Sequence, residues 1–150
     1  MFDSILLPVD GSESMDTLVE CGFDVAQTHS ADVHALFVNN VSDIIPTTTA
    51  PAAPDAIDSE VEQQGEQALN RLRRMAPAGV DPVTEIRQGN PANEIIEYTK
   101  GNDIDCIVIG RKGTSMLSHL GSNTSGVVQA SDVPVLVVPF DDTGGDVEAK

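Results

Sequence analysis

Asp105-Cys106-Ile107-Val108-Ile109-Gly110 is the stretch that decides the fold. It is unbroken apolar chain, rich in β-branched residues, too short for a helix and stopped by a glycine. Such a run has no polar face to turn to water, so it predicts a strand covered on both sides, as in a parallel sheet. Ser4-Ile5-Leu6-Leu7-Pro8-Val9 reads the same way, with Pro8 placed where the ladder needs no donor. Val33, Ala35, Phe37 and Val38 mark a second strand ending near Asn39-Asn40, and Pro82 to Arg87 a third. Val133-Pro134-Val135-Leu136-Val137-Val138-Pro139 is the fifth, and its two prolines favour an edge.

Between these runs the apolar period lengthens to that of a helix. Met15, Leu18, Val19, Gly22, Val25 and Ala26 predict a helix over Glu13–Thr28. Ile57, Val61, Ala68, Leu69, Leu72, Met75 and Ala76 predict a long amphipathic one over Ala56–Ala76. Arg71, Arg73 and Arg74 close that helix, where its dipole favours cations. Asn90 as N-cap and Pro91 at the first helical position open a third helix that runs to about Lys100. Gly121 to Ala130 is the fourth. The segment Val41–Asp55, with Pro46, Pro51 and Pro54, predicts a surface loop, and Asp141–Lys150 a solvated acidic tail. The expectation is one domain over residues 1–140: an α/β, doubly wound, five-stranded parallel sheet with helices on both faces. Its ligand crevice belongs at the carboxyl ends of strands one and four, where the winding reverses.

The charge narrows the partners. Asp plus Glu number 24 against 8 Lys plus Arg, a net −16, and that surface repels nucleic-acid phosphates and anionic lipid. Neither nucleic acid nor a membrane is an expected partner. With a mean hydropathy of −0.08, no long apolar run and no leader-like start, the expected location is the cytoplasm. Cys21 and Cys106 are far apart in core-forming segments and read as reduced, buried thiols.

Three pieces of sequence meet at the expected crevice. Asp10 puts a carboxylate at the end of strand one, a partner for ribose hydroxyls. Gly110-Arg111-Lys112-Gly113 ends strand four with flexible backbone and two cations. Gly121-Ser122-Asn123-Thr124 opens a helix whose free amides suit phosphate. No GxGxxG or GxxxxGK[ST] occurs, and strands three and five lack the acceptor Asp and the Lys of a phosphorylation receiver. His119 stands alone in its loop, and His29 and His34 have no cysteine neighbours, so neither a catalytic residue nor a metal site is expected.

The segments ILLPVDGSE (5–13), Gly89-Asn90-Pro91-Ala92 with Glu94-Ile95, DCIVIGRKG (105–113) and GSNTSGVVQASDVPVLVVP (121–139) together resemble the universal stress protein family. That resemblance implies a small homodimer joined through the last strand, Val135, Leu136, Val137 and Val138, which binds ATP or AMP in a stress response. It implies that Pro8, Val9 and Asp10 line the adenine and ribose end and that Val38 touches adenine. Ile109, Gly110, Arg111, Gly113, Gly121, Ser122, Asn123 and Thr124 would then hold ribose and phosphates. Mg²⁺ would accompany ATP, with Asp10 or the Ser122 hydroxyl as ligand. The sequence departs from the family's Gly-x2-Gly-x9-Gly-Ser/Thr pattern, because only Thr114–Leu120 separates Gly113 from Gly121. Two other functions therefore stand beside the first: a nucleotide-free module that engages an unknown protein partner, and a slow ATPase.

The acidic excess reads as a surface adapted to high salt, where counterions screen self-repulsion. The midpoint of thermal unfolding is expected to rise between low salt and molar KCl; a midpoint that stays level refutes salt adaptation.

Overall fold

The computed structural model describes the backbone of residues 2–11, 15–39, 54–112 and 122–140, and the side chains of 2–11, 15–39, 62–110 and 124–139. Strands β1 (Ser4–Val9), β2 (Asp32–Asn39), β3 (Val83–Gln88), β4 (Cys106–Lys112) and β5 (Val135–Phe140) alternate with helices α1 (Met15–His29), α2 (Pro54–Met75), α3 (Pro91–Gly101) and α4 (Ser122–Ala130). All strands are parallel, in the order β3-β2-β1-β4-β5. The expected doubly wound five-stranded sheet is therefore present, and β1 sits at its centre.

Strand alternation splits the core in two. Ile5, Leu7, Val9, Val33, Ala35, Phe37 and Val108 pack under α1 and α2. Leu6, Leu36, Ile107 and Ile109 pack under α3 and α4 with Ile95, Tyr98 and Val127. Because both faces are apolar, β1 and β4 have no solvated side, which is why their sequences show no polar alternation.

Several boundaries move. Pro54 and Asp55, expected in the loop, already belong to α2, where proline fits the first turn because its missing N–H has no helical partner there. The rest of that loop lies outside the described residues, as does the tail after Phe140. Arg111 and Lys112 are not loop either, since they extend β4 and pair with Pro139 and Phe140 of β5. Ile107 N–H bonds the Pro134 carbonyl at 3.0 Å, so by alternation Leu136 and Val138 also face β4 while Val135, Val137 and Pro139 face outward. Pro139 thus sits at an edge that asks no hydrogen of it. Cys106 is buried but Cys21 only partly so, and burial pushes both thiols above their usual range. The basic end of α2 serves the fold: Arg71 meets Asp16 at 2.7 Å and Arg73 meets Thr84 at 2.5 Å.

Helix α1 lies so close to β1 that a Cβ on Gly22 would fall 2.3 Å from Cδ2 of Leu7, which is fully buried. Gly22→Ala is expected to destabilise the domain by about 1–3 kcal/mol through overpacking, and Leu7→Ala in the same chain to recover part of that loss. Urea denaturation of the two single variants and the double variant measures the coupling; additive losses would refute the close contact.

Candidate functional site

The ladder between the two central strands is fastened at its amino end and stops short of its carboxyl end. At the amino end the Asp105 carboxylate accepts from the N–H groups of Asp3 and Ser4 at 2.8 and 3.1 Å, and Asp105 N–H bonds the Ser4 carbonyl at 2.9 Å. The register then runs Ile5 with Cys106 and Leu6 with Ile107, and goes no further. On its other side β1 pairs with β2 along its whole length, through Val9 with Phe37. Ser4 faces β4, so by alternation Leu6 and Pro8 do too. The next ladder bond toward β4 would need a hydrogen on the Pro8 nitrogen, and proline has none. The end of the β1–β4 ladder is thus written into the sequence, and it falls toward the carboxyl end of the sheet.

That end gathers Pro8, Val9, Asp10, Val38, Ile109 and Gly110. Their side chains do not all face the opening. Val9 and Ile109 are buried in the two opposite cores, leaving their backbones at the crevice. Pro8 and Val38 are half-buried on the α3/α4 face, and Asp10 is exposed just past β1. Gly11 follows at φ +81°, a left-handed turn that a residue with a Cβ adopts at a cost. From the other side α4 approaches, and the buried Thr124 in its first turn donates its hydroxyl hydrogen to the Gly110 carbonyl at 2.8 Å. Gly113 and Gly121 lie outside the described residues. Arg111, Ser122 and Asn123 contribute described backbone in β4 and α4, while their side chains lie outside the described set.

A polar network supports the floor beside Val38. By register Val38 pairs with Arg87, and His34, Glu85 and Arg87 share its face. Arg87 bonds Glu85 at 2.5 Å and Glu94 of α3 at 3.6 Å, and its guanidinium sits 5.1 Å from the centre of the Tyr98 ring. The Tyr98 hydroxyl meets Nδ1 of His34 at 2.7 Å. Burial, helped by the Glu85 charge, raises the Tyr98 phenol despite the opposing pull of Arg87, so the hydroxyl stays protonated, and which of the two groups donates follows the imidazole tautomer. Sequence reading passed over this set because its members are alternate residues on neighbouring strands, and only the β2–β3 register brings them together. Among the described residues no three His, Cys, Asp or Glu side chains gather as a metal site, and no helix is long and apolar enough to cross a membrane.

A five-stranded parallel α/β domain whose winding reverses between β1 and β4 defines the class: a doubly wound protein with a helix amino terminus at the switch point. The comparisons fix the family. The universal stress protein family profile matches residues 1–139. A universal stress protein of Methanocaldococcus jannaschii is 32% identical over 92% of this chain and 82% of its own. The solved UspA of Lactobacillus plantarum is 28% identical, covers 91% of this chain and 97% of its own, and superposes with a TM-score of 0.73. The Archaeoglobus fulgidus universal stress protein solved with dAMP is 17% identical over 91% of this chain and 97% of its own, with a TM-score of 0.62, and shows the fold alone. The chain belongs to the universal stress protein family.

Burial lowers the His34 imidazole below its ordinary 6.5, against a smaller upward pull from Asp32. The unfolded chain therefore binds more protons than the folded one between the lowered value and 6.5, and stability rises with pH through that window. Acidification below about pH 6.5 is expected to destabilise the protein, and His34→Gln to flatten that part of the profile. Urea midpoints from pH 5 to 8 for both proteins check this; parallel profiles refute it.

Proposed function

We propose that this universal stress protein binds one adenine nucleotide, AMP or ATP, in the crevice between β1 and β4 and works as a cytoplasmic stress-response sensor. The single observation that carries the reading is the end of the β1–β4 ladder at Leu6 and Ile107, with α4 fastened to Gly110 beside the opening. Support also comes from the dAMP held by the A. fulgidus relative and from a second family member, 20% identical to this chain, solved with cAMP. Both ligands share adenine, a sugar and a phosphate.

In this reading the base rests against Pro8 and the backbones of Val9 and Val38, and the Asp10 carboxylate takes sugar hydroxyls. Gly110, Arg111 and Gly113 meet the sugar and first phosphate from the β4 side, with the Ile109 backbone behind them. The amides of Gly121, Ser122 and Asn123 meet phosphate oxygens, as a helix amino terminus does. With ATP, Mg²⁺ would join through Asp10 or the Ser122 hydroxyl, hard oxygen donors of the kind it takes. The sensor acts through occupancy, since a ligand that binds one arrangement of the crevice loops better than another shifts the surface shown to a protein partner. A second copy joins at the outer edge of β5, where Val135 and Val137 present ladder groups, Leu136 is 41% exposed and Val138 anchors the strand in the core.

Titration calorimetry of the full chain with AMP and with ATP in molar KCl tests the reading. Heat saturating near one nucleotide per chain, and weakened by Asp10→Ala, is the expected result. A folded protein that gives no heat with either nucleotide overturns it and leaves the family member as a nucleotide-free interaction module.

A further inference from the structure

We infer that Thr124 is a positioning residue, which locks the amino terminus of α4 to β4 and so sets the phosphate end of the crevice without touching the nucleotide. The inference rests on the proposed nucleotide reading and assigns within it a division of labour. Ile107 faces β5, so Val108 and Gly110 present their backbone groups toward β1. The β1–β4 register ends at Leu6 and Ile107, β1 itself ends at Val9, and the side-chain donor that reaches the Gly110 carbonyl comes from α4. A carbonyl left in that position costs free energy unless another donor reaches it. The Thr124 hydroxyl does so at 2.8 Å, and the side chain is only 5% exposed.

Two consequences follow from the chemistry of one hydroxyl. It has a single hydrogen, and that hydrogen is committed to Gly110, leaving only acceptor lone pairs. Phosphate oxygens are acceptors as well, so the Thr124 side chain has no donor to give them. The bond also joins the strand end to the helix directly, bypassing the loop between them. A helix amino terminus is useful to an anion only when its amides are held at a fixed place, and this bond fixes α4 against the strand that bounds the crevice. The seven-residue segment from Thr114 to Leu120 then need not itself set where α4 begins.

The test separates phosphate from base. AMP and adenosine are each titrated by calorimetry into the wild-type full chain, Thr124→Val and Thr124→Ser. Thr124→Val removes the hydroxyl at nearly constant shape, and AMP is expected to bind at least about fivefold more weakly. Adenosine, which has no phosphate, should bind the variant as it binds wild type, and Thr124→Ser should restore AMP binding. Equal losses for AMP and adenosine would mean a general structural role, and undiminished AMP binding would mean no role; either overturns the inference. A wild-type chain that binds neither ligand overturns the nucleotide reading itself, and the inference with it. If Thr124→Val fails to fold, Thr124→Ala replaces it, and faster hydrogen exchange at the amides of Ser125–Val128 in the unliganded variant is required; unchanged exchange overturns the clamp.

Discussion

One missing hydrogen governs the geometry of this protein. Pro8 lies in the central strand and faces β4, and the ladder between β1 and β4 ends just before the bond its nitrogen would have made. A proline in mid-sheet ordinarily costs a ladder bond. Here the lost bond falls at the carboxyl end of the strand, where the ladder stops. The opposite end is closed by a side chain, because the Asp105 carboxylate collects two backbone N–H groups from the start of β1. The central pair is therefore fastened at the amino end and lacks a ladder at the carboxyl end.

The surrounding elements divide at that end of the sheet. After β1 the chain turns through Gly11, and α1 packs on one face, while α4, which follows β4, packs on the other. The side chains flanking the opening then divide by strand alternation. Val9 and Ile109 go down into separate cores and make the rim rigid, while the backbone between them stays at the mouth. Around Val38 the floor is stiffened differently, by an arginine held between two carboxylates and a tyrosine ring, with the tyrosine hydroxyl on a neutral histidine. Such a network is satisfied only when β2, β3 and α3 keep their places together, so it ties the crevice floor to the fold's register.

The strands and helices could be read from the sequence because each is bounded by a change of apolar period, and β4 and β1 are apolar throughout as only doubly covered strands are. The boundaries that moved are those where a residue fits two settings. Pro54 suits a loop and equally a first helical turn, and the glycine at Gly110 looks like a stop although β5 continues to pair beyond it. For the site, the sequence located the switch point, since that follows from element order alone. It did not separate residues by role. Whether Val9 faces ligand or core depends on strand parity, and the Thr124 hydroxyl is spent on a carbonyl that only the packing of α4 on β4 brings to it. Arg87, Tyr98 and His34 are far apart in sequence and meet through register, which no single-segment pattern contains.

The overall charge makes these local arrangements matter more. A chain at net −16 opposes any anionic ligand at long range, and salt removes that opposition only beyond roughly a Debye length, about 10 Å at 0.1 M and shorter in brine. Arg71 and Arg87 are already paired with carboxylates, and Arg73 with a hydroxyl. None of these three is left over for a phosphate. In the proposed site Arg111 and the fixed dipole of backbone amides act within the screening length, and the amides need no mobile charge but do need to be held still. In an acidic fold, the fastening of α4 to Gly110 is what holds them against the end of β4.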